Sequence, residues 1–186
     1  MQPLLVRTAD VPARPWQNGG GVTRELLARP AADAWRVRVS VADVDADGPF
    51  SVFDGVERWF AVLAGNGVVL TVAGGEHRCT ADGDALVFEG AATTACRLID
   101  GPTRDLNLML RGARGAMARV VRGAAWQPRA RECGLYATAS GTVAAEGGAA
   151  REPMPAHALR WWAEAPASLA FDGAGWWLRA DTGPIA

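Results

Sequence analysis

The chain has 186 residues, 49% of them hydrophobic, with a mean hydropathy of +0.03, so it can form a core and is typical of a globular protein. Its net charge is −1, and its 19 basic residues, all arginine, form no basic stripe, which argues against nucleic-acid binding. No apolar run approaches the roughly 18 residues that span a bilayer, and the N-terminus lacks the features of a signal peptide. We therefore expect a cytoplasmic protein without nucleic-acid or membrane partners.

The first element is the segment from Pro15 to Glu25, PWQNGGGVTRE. Three consecutive glycines are costly to order, so such a run indicates an unusual turn or a close approach to another group. Trp16, Asn18 and Thr23 accompany the glycines, and Thr23 and Glu25 project from one face of a strand. Two interpretations stay open at this point: a turn before an edge strand, or one wall of a small-molecule pocket. A phosphate loop is not supported, because no Gly-Lys-Ser/Thr follows.

Short alternating runs between glycines come next and predict strands. Residues 36–41 alternate strictly, with three valines on one face and Arg36, Arg38 and Ser40 on the other. The apolar runs Trp59–Leu63 and Val68–Val72 are joined by Ala-Gly-Asn-Gly, a hairpin signal because Asn and Gly tolerate positive φ. Further strand candidates are His77–Cys79, entered through the turn Ala73-Gly74-Gly75-Glu76, then Ala85–Phe88, Arg97–Ile99 and Leu106–Leu110.

Residues 111–116, RGARGA, contain two glycines and no apolar period and are predicted to be a linker. The strand pattern resumes after them in Ala118–Val121, Gly134–Ser140, Gly141–Glu146, Ala158–Ala163, Ala167–Phe171 and Gly175–Ala180. Turn residues every 8–12 positions are typical of an all-β sandwich or barrel. Because the second half repeats the pattern of the first, we predict two related β-barrels packed together, residues 1–111 and residues 112–186.

Cysteine and histidine are too sparse for a metal cluster or a histidine-based catalytic triad. Cys79, Cys96 and Cys133 are odd in number and far apart, which argues against disulfides or a zinc cluster and predicts buried reduced thiols. His77 and His157 each lack a second histidine at ligand spacing. We therefore expect no metal and no cofactor.

Three polar pairs stand at i, i+2 spacing: Thr23/Glu25, Arg38/Ser40 and Asp105/Asn107. Arg58 precedes an apolar strand, and residues 47–51, DGPFS, form a turn that ends near an aromatic. If these strand faces point outward, the pairs are solvated surface groups. If they point inward, they leave a polar lumen with both donors and acceptors, suited to a small polar molecule.

Taken together, these motifs resemble the HutD/Ves family of bicupin proteins. The matching segments are PWQNGGGVTRE (15–25), RVSVADV (38–44), DGPFS (47–51), GVERW (55–59), LAG (63–65) and DGPTRDLNLML (100–110). The resemblance implies an all-β bicupin, two jelly-roll, cupin-like β-barrels in one compact chain, with a ligand pocket in the N-terminal barrel and a degenerate, mainly structural C-terminal barrel. It also implies an accessory or modulating role in bacterial histidine utilisation.

Carrying the family pattern over by position gives Asn18, Thr23, Glu25, Arg38, Ser40, Phe50, Arg58, Asp105 and Asn107 as pocket residues. We expect Arg38 and Arg58 to hold a carboxylate. Asn18, Thr23 and the amides of Gly19, Gly20 and Gly21 supply neutral hydrogen bonds, and Phe50 or Trp16 covers an apolar face. One departure is Gln17, where the family usually has Lys or Arg. If that cation contacts the ligand, ligand choice differs here; if it lies on the surface, nothing changes.

Three functions follow from these expectations. The first is a metal-free binder of a small carboxylate, such as urocanate or a formylated glutamate. The second is an enzyme acting on such a metabolite, with Glu25 or Asp105 as general base, since burial can raise the pKa of a carboxylate toward neutrality. The third is an interaction module, for example a homodimer formed through strand edges or tryptophans.

Overall fold

The computed structural model describes residues 2–145 and 151–183. They form strands, apart from loops and one 3-10 turn at Thr8–Asp10, which confirms the predicted all-β class. The first strands are β1 (Leu4–Arg7), β2 (Arg14–Pro15), β3 (Gly21–Arg29), β4 (Val37–Val44), β5 (Gly48–Pro49), β6 (Val56–Ala64), β7 (Val68–Val72), β8 (Gly75–Cys79), β9 (Leu86–Glu89), β10 (Thr94–Leu98) and β11 (Thr103–Arg111). They are followed by β12 (Arg114–Arg119), β13 (Ala125–Trp126), β14 (Glu132–Ala137), β15 (Gly141–Ala145), β16 (Glu152–Met154), β17 (Ala158–Trp162), β18 (Leu169–Phe171) and β19 (Gly175–Asp181). None of the described residues forms a helix long and apolar enough to cross a membrane.

One compact unit consists of Pro12–Gly112 and contains two antiparallel sheets. The six-stranded sheet has the order β2-β3-β4-β11-β6-β9, and the four-stranded sheet has the order β5-β10-β7-β8. Their facing sides share an apolar cluster that includes Val44 and Phe60 from the first sheet and Leu70 and Cys96 from the second. Burial of these apolar side chains stabilises the unit.

The second compact unit consists of Met1–Val11 and Ala113–Ala186. Its sheets have the orders β1-β17-β14-β19-β12 and β13-β18-β15-β16, so the first residues of the chain join it through the pairing of β1 with β17. Its core is rich in tryptophan, and the Trp177 ring stacks on Trp126 with centroids 4.8 Å apart. Both units thus pair a larger sheet with a four-stranded one.

Two local predictions were wrong. The Asn-Gly turn after β6 does not close a hairpin, because β6 lies in the six-stranded sheet and β7 in the four-stranded sheet. Gly65 has a φ of +89°, and a Cβ there would lie 2.4 Å from the Pro102 carbonyl oxygen, so this turn packs against a neighbouring strand while it changes sheets. The predicted linker at 111–116 contains the start of β12. This edge strand is held by backbone pairing with β19, so it needs no strong apolar alternation and its sequence did not indicate a strand. The predicted end of the β15 strand, Glu146, lies outside the described residues.

A substitution in the glycine run tests how closely β3 approaches β4. A Cβ at Gly21 would lie 2.4 Å from the backbone oxygen of Asp43, whereas a Cβ at Gly20 meets nothing closer than 3.4 Å. We expect Gly21→Ala to lower the free energy of unfolding by about 2 kcal/mol or more, because strand backbone must move. Gly20→Ala is the matched control and should change it by less than about 1 kcal/mol. Urea unfolding of both variants measures the difference; equal effects would contradict the close approach.

The three cysteines are buried and unpaired. Burial raises the pKa of the Cys79 thiol to about 11 and the pKa of the Cys96 and Cys133 thiols to about 12. We expect the folded protein to react with a thiol-specific disulfide reagent at least about 100-fold more slowly than after unfolding in guanidinium, because the thiolate is the reactive form. The time course at pH 8 checks this, and a rapid reaction of one thiol in the folded protein would contradict it.

Candidate functional site

A cavity of about 550 Å³ opens in the unit Pro12–Gly112. Of the residues predicted to form a pocket, the structure brings Trp16, Asn18, Thr23, Glu25, Arg38, Ser40, Phe50, Arg58, Asp105 and Asn107 together in its lining. Gly19, Gly20 and Gly21 are not part of that lining. The glycine run therefore does not line the cavity itself. It leads the chain into β3, whose residues Thr23 and Glu25 do.

The register of the six-stranded sheet arranges the polar residues in three rows across its inner face. Two-residue alternation puts side chains of one parity on the same face. The first row contains Arg38, Met109 and Arg58. The second contains Glu25, Ser40, Asn107 and Phe60, and the third contains Thr23, Ala42, Asp105 and Val62. The three i, i+2 pairs of the sequence thus become adjacent columns of one surface.

Both faces of this sheet are covered, which decides between the two interpretations of the polar pairs. Val37, Val39 and Val41 are fully buried on one face of β4, while Arg38 and Ser40 line the cavity on the other. A bulge in β3 between Glu25 and Leu27 shifts the strand by one residue, and N-terminal to it Glu25 still faces the cavity. The pairs therefore line a lumen and are not an outward solvated face.

Arg58 is a buried cation at one end of the rows. Its guanidinium Nη1 donates to the Ser51 carbonyl oxygen and its Nη2 to Asn107 Oδ1, each at 3.3 Å. The guanidinium also lies 5.1–5.7 Å from the centroids of three rings, Phe50, Phe53 and Phe88. Contacts of this kind favour a cation, each by about 0.5–2 kcal/mol.

No carboxylate lies within ion-pair distance of Arg58 among the described residues, and its Nε has no hydrogen-bond partner there. Burial, together with the nearby positive charge of Arg38, lowers the pKa of Arg58 to about 10. The side chain still holds its proton at neutral pH. Because an uncompensated buried charge is costly, the geometry leaves room for an anion.

Arg38 is already paired. Its Nε donates to Glu25 Oε2 at 2.7 Å, and each of the two side chains is about one fifth exposed. At the mouth, Trp16 Nε1 donates to Thr23 Oγ1 at 2.7 Å, and the Trp16 ring meets Phe50 edge-on. Of the two arginines predicted to hold a carboxylate, Arg58 is thus the one whose charge has no carboxylate partner among the described residues.

Asp105 lies in the third row and is fully buried. Its Oδ2 accepts a hydrogen bond from Thr103 Oγ1 at 3.1 Å, and its Oδ1 has no partner among the described residues. Burial raises the pKa of Asp105 to about 7; the Thr103 hydrogen bond opposes this shift and the charge of Asp43 adds to it. Asp105 can therefore gain or lose a proton near neutral pH.

Several lining residues were missed by the sequence prediction: Arg14, Pro15, Gln17, Ala42, Val44, Pro49, Ser51, Phe53, Phe60 and Met109. Alternation could have found Met109, Phe60 and Ala42, since each stands two positions from a predicted residue on the same strand. Phe53 and Ser51 come from a loop and have no periodic signal. Gln17, where the resemblance implies a cation, lies in the lining, so this departure falls at the cavity itself.

Among the described residues, no three His, Cys, Asp or Glu side chains are grouped so that they could hold a metal ion. The polar groups of the lining are instead three guanidinium groups, two carboxyl groups and neutral donors and acceptors. The arrangement can pair an anion with Arg58 and exchange a proton at Asp105.

The family model of HutD matches residues 8–178. The chain belongs to the HutD family. It is 39% identical over 107 residues to an uncharacterised 21.2 kDa protein from the hutC 3′ region of Pseudomonas putida, a match that spans 56% of either chain. It is 31% identical over 137 residues to the protein Ves of Citrobacter koseri, covering 63% of this chain and 71% of that one.

Solved structures agree with this family and with the cupin fold. HutD from Pseudomonas fluorescens, described for a formate condition, superposes with a TM-score of 0.85 at 25% identity and covers 98% of this chain and all of its own. An oxalate decarboxylase superposes with a TM-score of 0.65 at 11% identity over 98% of this chain and 78% of its own. At that identity the likeness shows the fold alone, and it confirms the predicted cupin class.

Proposed function

We propose that this HutD family member binds a small carboxylate metabolite in the cavity of the unit Pro12–Gly112, without a metal, and acts as an accessory or modulating protein of histidine utilisation in the cytoplasm. The observation that supports this most directly is Arg58, a buried guanidinium that has no carboxylate partner in the part of the chain that the structure describes. A guanidinium pairs with a carboxylate through two parallel hydrogen bonds. A bound carboxylate would also give the free Arg58 Nε edge an acceptor.

The genomic part of the proposal comes from relatives. One relative is described as a protein of the hutC 3′ region, and a similar structure is named HutD. The formate condition of that structure is consistent with a carboxylate site, and formate is therefore included among the probes below.

Calorimetric titration with acids and their neutral amides tests the recognition of charge. We expect urocanate and formate to bind, and urocanamide and formamide to bind at least about 30-fold more weakly, because the amide cannot neutralise Arg58. The pairs match in size and shape, so the difference isolates the charge. Equal affinities for acid and amide, or no binding of any acid, would contradict the proposal.

An enzyme remains the second candidate because the pKa of Asp105 is raised to about 7, a value suited to proton transfer. Glu25 fits the role of a base less well, since Arg38 holds it in an ion pair at 2.7 Å. The two functions separate by turnover. If urocanate or formylglutamate is converted by the parent protein and not by Asp105→Asn, the protein is an enzyme. If the parent protein binds these metabolites and leaves them unchanged, the binding function is supported.

A further inference from the structure

The lumen contains a second buried atom without a partner, and its polarity is opposite to that of Arg58. Asp105 Oδ1 is an acceptor that no described residue satisfies, whereas the Arg58 Nε–H is an unsatisfied donor. Buried polar atoms in folded proteins are nearly always hydrogen-bonded. Two orphaned groups of opposite polarity on the same cavity wall are therefore a pattern that one molecule could complete.

The register gives the spacing of the strand positions that carry the two groups. Arg58 pairs with Met109, but its Nη2 reaches one row further and donates to Asn107 Oδ1. Asp105 is two residues from Asn107 on β11, a separation of roughly 7 Å along a strand. The guanidinium and the Asp105 carboxyl group thus lie about one row apart on the same face.

The two groups do not form an ion pair. The ion pairs of the described residues do not include one between Arg58 and Asp105. The neighbouring charge that shifts each pKa has the same sign as the group itself, Arg38 for Arg58 and Asp43 for Asp105. The cavity of about 550 Å³ also falls within the range that holds a complete small organic molecule, so a carboxylate at Arg58 leaves room for a skeleton that extends to Asp105.

We propose that the ligand of this cavity, besides the carboxylate that Arg58 holds, has an N–H group further along the molecule that donates a hydrogen bond to Asp105. Asp105 then determines specificity, and the cavity selects nitrogen-bearing organic acids over plain acids of the same size. The proposal rests on the proposed function, since it takes the carboxylate at Arg58 as given.

Urocanate and cinnamate test this because they share the acrylate group and differ in the ring, which has an N–H only in urocanate. At pH 8, where Asp105 is mostly ionised, we expect the parent protein to bind urocanate about tenfold or more tightly than cinnamate, the effect of one hydrogen bond to a charged group. Asp105→Asn, in which the amide can turn a donor toward the ligand, should reduce this ratio to about twofold or less. Asp54→Asn, at an exposed position, is the matched control and should keep the parent ratio.

The outcomes separate this proposal from the proposed function. If both acids bind with similar affinity and Asp105→Asn leaves their ratio unchanged, the role of Asp105 is wrong while carboxylate binding stands. If neither acid binds the parent protein, both proposals are wrong. Ring N-methylated urocanates, which lack an N–H, give the same test on the parent protein alone: about tenfold weaker binding supports the contact, and undiminished affinity overturns it even if Asp105→Asn does not fold.

Discussion

Replacing Arg58 with methionine is expected to abolish carboxylate binding while leaving the unliganded protein at least as stable as the parent. Arg58 is only 6% exposed and its charge has no carboxylate partner among the described residues, so the folded protein bears the cost of a desolvated cation. Methionine is unbranched, fills similar space and packs well against the rings of Phe50, Phe53 and Phe88. Binding and stability should therefore change in opposite directions.

The loss of affinity should be about 100-fold or more, because two charge-assisted hydrogen bonds of about 1.5–3 kcal/mol each disappear. The free energy of unfolding without ligand should stay equal or rise by up to about 2 kcal/mol. Thermal unfolding without ligand and with roughly 10 mM urocanate measures both the stability of the free protein and its stabilisation by the ligand. Arg97→Met, at an exposed position of β10, is the control and should retain ligand-induced stabilisation. A strongly destabilised Arg58→Met that still responds to urocanate would show a purely structural arginine.

Several strands of the first unit were predictable because alternation or flanking glycines marked them in the sequence. Strict alternation at residues 36–41 located β4, and the Ala73-Gly74 turn located the β7–β8 hairpin, where both residues have positive φ. Alternation reports which residues share a face. It does not report which sheet a strand joins, and for that reason the Asn-Gly turn after β6 predicted a hairpin that the structure does not have.

The sequence predicted which residues of the site share a strand face, but not which of its charged side chains pair with each other. The columns of β3, β4 and β11 follow from spacing. The pairing of Arg38 with Glu25 depends on the bulge and on how far the side chains reach across strands. Because of that pairing, Arg58 is the one of these two arginines without a carboxylate partner among the described residues. The Phe53 contact with Arg58 depends on a loop, whose path local sequence does not determine.

Replacing Asp105 with asparagine is expected to stabilise the protein, and by an amount that increases with pH. The pKa of Asp105 is about 7 in the folded protein and near 3.8 when unfolded. Below about pH 4 the carboxyl group is protonated in both states, so its ionisation does not lower the free energy of unfolding. Between these values the unfolded chain has lost its proton while the folded protein keeps it, so the parent's stability falls as pH rises and levels off above pH 7. Asparagine has no such dependence.

The difference between Asp105→Asn and the parent should thus be small near pH 4 and approach about 4 kcal/mol at pH 8, since each pKa unit corresponds to about 1.4 kcal/mol. In melting temperature this is about 10 °C, and unfolding curves at pH 4, 6 and 8 measure it. Asp54→Asn, on the exposed surface, should show no such trend; a difference independent of pH would mean that Asp105 is ionised throughout.

A ligand that donates an N–H to Asp105 favours its ionised form, so saturating urocanate should lower the pKa of Asp105. At pH 8 it should therefore stabilise the parent more than the asparagine variant, which narrows the difference. The same buried carboxyl group that costs the free protein stability would then be the one that the ligand satisfies.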